Sequence, residues 1–157
     1  MIFPVLPLVE IPVTPHPGSF GAVRKFDIHT GVDLYVPEGT EVYAMEAGQV
    51  ISIENFTGPK AGSPWWLDTQ AILIEGASGV LLYGEVDASV QVGDQVTEGQ
   101  LLGRVKRVLI KDKGKPVTML HFERYEPWVR YSVFWGLTDP KMPKGLLDPT
   151  DLLLSAL

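Results

Sequence analysis

Val90-Gln-Val-Gly-Asp-Gln-Val-Thr-Glu-Gly-Gln-Leu-Leu-Gly103 sets glycines at 93, 99 and 103 beside acidic or amide residues, between valines and leucines. Glycine accepts the backbone angles of tight turns, and β-branched residues suit a pleated strand, so this stretch reads as short strands folding back on one another. The same texture runs through the whole chain. Sixteen glycines and thirteen prolines in 157 residues punctuate short β-branched or aromatic runs, which predicts strands joined by turns rather than helices. Candidate strands are Val32–Val36, Glu41–Asn55, Gln70–Glu75, Gly79–Val86, Gln100–Ile110 and Val117–Tyr125, with a kink expected at Ala47-Gly48. Near the C-terminus, Asp148-Pro-Thr-Asp151 before Leu152-Leu-Leu predicts a short helix capped near Asp148 or Thr150, with Pro149 in its first turn.

The length suits one domain, and 45% hydrophobic residues are enough for a sizeable core. A net charge of −6 lacks the basic excess of a phosphate-binding surface, which argues against nucleic acid as a partner. The basic run from Arg104 to Lys115 reads as a solvated hairpin. With no cysteine, disulfides and thiolate-bound zinc are excluded. The first nine residues are apolar but lack a basic start, and prolines at 4, 7 and 12 would break a signal helix. No apolar stretch reaches the ~20 residues that span a bilayer. The expectation is a soluble protein with no signal peptide, cytoplasmic or carried by a phage or virion, with an extended segment over 1–27 and a β domain over 28–157. Trp65 and Trp66 end a Gly/Pro-rich loop. They are expected to cover one open end of the sheet, the other reading being a stacking wall for an extended ligand.

Three histidines can be weighed one by one. His16, in Pro15-His-Pro17, has a mainly structural reading. His29 lies in Asp27-Ile-His-Thr-Gly-Val-Asp33. On a straight strand His29 and Asp33 would stand about 13 Å apart, too far to share a metal. A positive φ at Gly31 is expected to fold the segment and bring them together. In Val117-Thr-Met-Leu-His-Phe-Glu123, strand alternation puts Met119, His121 and Glu123 on the face opposite Leu120 and Phe122. Three ligands of His/Asp/His type leave a fourth position for water, as a catalytic zinc requires. Taken alone, each histidine reads better as a hydrogen-bonded sheet residue than as a ligand.

The series His29-Thr-Gly-Val-Asp33-Leu, Pro37-Glu-Gly-Thr-Glu-Val-Tyr-Ala44, Ala47-Gly-Gln-Val50, Leu82-Tyr-Gly-Glu85, the Val92–Gly103 stretch, Leu120-His-Phe-Glu123 and Leu147-Asp-Pro149 resembles the lysostaphin/LytM-like zinc metallopeptidases, which cut peptidoglycan cross-bridges. The resemblance runs in order from about Ile28 to the C-terminus. It implies an all-β antiparallel sandwich of the duplicated hybrid motif type with a short C-terminal helix. It also implies Zn2+ on His29, Asp33 and His121, and a cell-wall peptide or other peptide ligand as partner. Two departures stand out. Met119 occupies the place of the first histidine of the family's His-x-His pair, and Glu85 that of a further accessory histidine. A thioether is only a weak acceptor, and losing one electrostatic donor costs on the order of 10²–10³ in rate. Glu85 has three readings: catalytic general base, fourth ligand closing the site, or inert rim residue. Glu123 is assigned a supporting role beside His121, and Asp27 a turn role.

Two functions are implied by the resemblance. One is a peptidoglycan endopeptidase-like zinc hydrolase with reduced or altered activity; the alternative is a non-catalytic pseudoenzyme serving binding or assembly around a structural zinc. A third class, the biotinyl/lipoyl carriers, shares the Val92–Gly103 hairpin pattern. It needs a lysine at an exposed hairpin tip, and Lys60 and Lys106 lie in the wrong surroundings.

Overall fold

The structure is a computed structural model that describes residues 1–111, 118–138 and 141–157. Its strands are β1 (Val32–Tyr35), β2 (Glu41–Tyr43), β3 (Gly48–Thr57), β4 (Thr69–Gly76), β5 (Gly79–Ala88), β6 (Gln95–Val96), β7 (Leu101–Val105), β8 (Met119–Tyr125) and β9 (Leu146–Leu147), followed by the helix α1 (Thr150–Ser155). Every pairing is antiparallel. The main path is β1-β8-β5-β4-β3-β6, while β2 pairs with β7, β7 with β5, and β9 with β8. This is the all-β fold with a short terminal helix that the turn pattern implies. The helix begins after Pro149, and Asp148 Oδ1 accepts the Thr150 N–H at 2.9 Å. The kink falls between β2 and β3.

Alternation along the strands makes two cores. Ile72, Ile74, Leu81, Tyr83, Leu120 and Phe122 face one side of the sheet and pack with Val42, Leu102 and Val105 from β2 and β7. Ala71, Leu73, Val80, Leu82 and Tyr125 face the other, against Ile28, Val129, Trp135 and Leu146. Each fully buried aliphatic side chain contributes about 1.5–3 kcal/mol, so the register is firmly held: a one-residue slip would exchange the two sets. The segment before β1 joins the first core, with Phe3, Val5 and Ile11 buried and the Tyr43 N–H donating to Pro4 O at 2.8 Å.

Strand β5 is the hub of the sheet. It pairs with β4 along one edge; along the other, Val80–Gly84 pairs with β8 and Val86–Ala88 with β7. Glu85 falls at the switch. The β4 register steps from Ala71↔Gly84 to Gln70↔Val86 and skips it, and its φ is +64°. A bulge of this kind redirects a side chain out of the ladder.

One strand expectation needs correction. The candidate strand Gln100–Ile110 stops at Val105, because β7 there runs out of partner; beyond it only Leu109 makes an isolated bridge, to Trp66. Trp65 and Trp66 are 63% and 38% exposed. Of the expected strand Val117–Tyr125, Val117 lies outside the described residues, as does the Lys115 end of the basic run.

Candidate metal centre

Asp33 on β1 lies directly opposite His121 on β8, and His121 opposite Gly84 on β5. Because directly paired residues share a face, the two side chains stand together, and Gly84, lacking a Cβ, leaves room for the Phe56 ring, whose centroid lies 5.4 Å from that of His121. His29 arrives from the hairpin before β1, where its N–H donates to Ala22 O and its carbonyl accepts from Gly21 N, both at 2.9 Å. His29 Nε2, Asp33 Oδ1 and His121 Nδ1 then lie 2.9–3.2 Å from one another, all three residues buried. The expected route to this closeness is corrected. Gly31 does not take a positive φ. It is needed because the loop presses against β8, where a Cβ would collide with Phe122 O and crowd His121 Cε1 at 3.0 Å.

Hydrogen bonds at the outer edges of the rings fix what faces inward. His29 Nδ1 lies 2.9 Å from Ser19 O, a pure acceptor, so it carries the proton and leaves the Nε2 lone pair free. His121 Nε2 lies 2.6 Å from Glu123 Oε2 and donates to it, directing the Nδ1 lone pair at the same point. Two nitrogen lone pairs and a carboxylate oxygen converge with no donor among them, which is favourable only if a cation or proton sits between them. Zn2+ with ligand bonds of 2.0–2.1 Å would space tetrahedral ligands by roughly 3.4 Å, close to what is observed. The donor set therefore fits zinc.

Charges around the cluster agree. Burial acts to raise the Asp33 pKa, but hydrogen bonds and charge from His121 and His29 outweigh it and hold the carboxyl far below the usual range. Burial likewise disfavours charged His121, yet the charge of Glu123 and the bonds to Asp33 and Glu123 hold its pKa well above the ordinary histidine value. Without metal, a proton on His121 fills the gap that a divalent cation would take over. Glu123, fully buried, also accepts from Thr30, Tyr125 and Ser132, so its carboxylate locks the orientation of His121.

Glu85 lines the same cleft of about 280 Å³, together with Arg24, Trp66, Phe134 and Trp135. It stands outside the three-atom ligand cluster. Its Oε2 is occluded and has no hydrogen-bond partner. Burial, with the charge of Asp33, pushes its carboxyl up to about 8. Asp27 also lines the cleft, and its carbonyl accepts the Arg24 N–H in a turn, while Met119 pairs with Tyr35 and does not line it. His16 is exposed and accepts from Gly18 N at 3.0 Å. Sequence reasoning missed Arg24, whose Nη2 donates to Asp33 Oδ2 at 2.8 Å, and the Thr30, Tyr125 and Ser132 support of Glu123. Strand alternation signals only the Glu123–Tyr125 contact; the others span 9 to 93 positions and leave no local pattern.

The model of peptidase family M23 matches residues 27–131, and the chain belongs to that family. Its fold is shared by a zinc containing peptidase from Vibrio cholerae, 25% identical over 77% of this chain and 35% of that chain, with a TM-score of 0.53. Lysostaphin, the antimicrobial peptidase from Staphylococcus simulans, is 22% identical over 94% of this chain and 50% of its own, with a TM-score of 0.61. A mutant catalytic domain of the prophage-encoded M23 protein EnpA from Enterococcus faecalis is 21% identical over 92% and 90%, with a TM-score of 0.57. The chain thus spans about a third of the Vibrio protein and half of lysostaphin. No curated protein matches it.

Proposed function

We propose that this domain holds Zn2+ through His29 Nε2, Asp33 Oδ1 and His121 Nδ1, and hydrolyses peptide bonds, with cell-wall peptides as the substrate class. The metal would supply Lewis acidity, polarising a carbonyl and easing loss of a proton from water. The residues of this chain do the rest. Glu123 orients His121, and Glu85, in the ionised form that gains population as pH rises through about 8, accepts the proton of the attacking water and returns it to the leaving amine. The activity is altered rather than typical of the family, because Glu85 stands where the resemblance expects an accessory histidine and Met119 where it expects another.

The state of Glu85 carries this reading. A non-glycine residue in the left-handed region costs about 1–2 kcal/mol, and a buried oxygen without a partner about 1–3 kcal/mol more. Such costs persist where a side chain must be aimed for function. The fourth-ligand reading is weakened because the carboxyl stays outside the ligand cluster. The rim reading is weakened because its Oε2 is occluded.

Purified protein, Glu85→Gln and His121→Ala are compared for zinc content and muropeptide cleavage. Cleavage that falls about 10²–10⁴-fold in Glu85→Gln with zinc retained supports the reading. Stoichiometric zinc without cleavage by the wild type supports the second one, a binding or assembly module with a structural zinc, which the Met119 replacement favours.

A further inference from the structure

Arg24 is the only lysine or arginine that lines the metal-centre cleft among the described residues. Its guanidinium has five N–H donors. Both donors of Nη2 are used, one on Asp33 Oδ2 at 2.8 Å and one on Pro17 O at 2.9 Å. The three on Nη1 and Nε have no partner among the described residues, and the side chain is 39% exposed. The guanidinium therefore sits one carboxylate away from the three converging acceptors, held through Nη2, and Arg24 lines the cleft. Around it stand the carboxyl groups of Asp27, Glu85 and Glu123.

Resting on the proposed hydrolase reading, we propose that Arg24 is the anion-binding group of this site: Nη2 holds Asp33 in place, and Nη1 and Nε take the substrate oxygen that gains negative charge. In the step concerned, water oxygen bonds to the carbonyl carbon, the π pair of the carbonyl moves onto its oxygen, and the proton of water passes to Glu85. Collapse then breaks the C–N bond and returns that proton to the amine. Donors fixed before reaction are the kind of group that the family's accessory histidines would supply, and a planar guanidinium offers two in parallel. Arg24 thus compensates for the histidines that Glu85 and Met119 displace.

The test uses inorganic phosphate, a tetrahedral anion, titrated into zinc-saturated wild type, Arg24→Met and Arg24→Lys; zinc affinity is measured separately by chelator competition. Arg24→Met is expected to bind phosphate at least about tenfold more weakly, and to bind zinc about 10–100-fold more weakly because Asp33 is released. Its kcat at saturating zinc should fall about 10²–10³-fold with KM little changed. Arg24→Lys keeps the charge beside Asp33, so it should retain zinc affinity and recover phosphate binding only in part. Equal phosphate affinity in wild type and Arg24→Met overturns the proposal. A wild type that takes up zinc and binds phosphate through Arg24 without cleaving peptides refutes the hydrolase reading instead. A wild type that takes up no zinc refutes both.

Discussion

Replacing Gly31 with alanine places one methyl group between the metal loop and β8. The added carbon would overlap Phe122 O, a backbone atom that moves only if the strand moves, and would lie 3.0 Å from both His121 Cε1 and Glu123 Cγ. Overpacking of this kind costs about 1–3 kcal/mol, and a backbone obstacle puts the site at the upper end. At ~3 kcal/mol the melting temperature of a chain this size falls by roughly 6–12 °C. Separation of the loop from β8 also pulls His29 and Asp33 away from His121, so zinc affinity should fall at least about tenfold, or ~1.4 kcal/mol. The assay is differential scanning calorimetry of the metal-free protein beside zinc titration. Gly39→Ala is the control. Its Cβ meets nothing within 4 Å, but its φ is +88°, so it should lose about 1 kcal/mol of stability and no zinc affinity. Gly31→Ala with unchanged melting and unchanged zinc binding would refute the close-approach argument.

Glu123→Gln removes the charge beside His121 Nε2 and should weaken zinc about 10–100-fold, read by chelator competition; an unchanged affinity would deny Glu123 its orienting role. Tyr83→Phe takes away the hydroxyl that accepts the Met45 N–H at 3.0 Å, leaving a buried donor unpaired. Urea denaturation should show a loss of about 1–3 kcal/mol. Glu85 makes stability depend on pH, because burial, with the charge of Asp33, pushes its carboxyl from 4.5 up to about 8. A raised folded pKa favours the native state fully below the unfolded value, and that advantage disappears as pH rises towards and through the folded value. The urea midpoint of metal-free wild type should therefore fall between pH 5 and pH 8 by more than that of Glu85→Gln; parallel pH profiles would contradict the buried carboxyl.

The parts of this molecule that can be read from its sequence are those set by local pattern. Alternation in Leu120-His-Phe-Glu123 puts His121 and Glu123 on one face, and the two meet at 2.6 Å. Glycines at 93 and 99 mark turns and both have positive φ. Asp148 and Pro149 mark the start of α1. The resemblance points to His29, Asp33 and His121, and the fold brings all three together. What stays hidden depends on long-range packing. Gly31 reads as a turn glycine, yet its need arises from Phe122, ninety-one positions away in the chain. Glu85 looks like any strand residue, and only the change of partner from β8 to β7 shows it as a bulge. Trp66 reads as a loop residue, yet it lines the cleft of the metal centre. Arg24 gives no signal at all, because an arginine in an irregular segment shows its partner only once β1 is placed.

Calorimetric titration of the metal-free protein with zinc bears most directly on the convergence of His29, Asp33 and His121. One ion should bind per chain, with proton release as His121 gives up its Nδ1 proton, and that binding should be lost in His121→Ala. Binding of equal strength in wild type and His121→Ala, or no zinc bound by the wild type, would show that the three side chains do not form a metal centre.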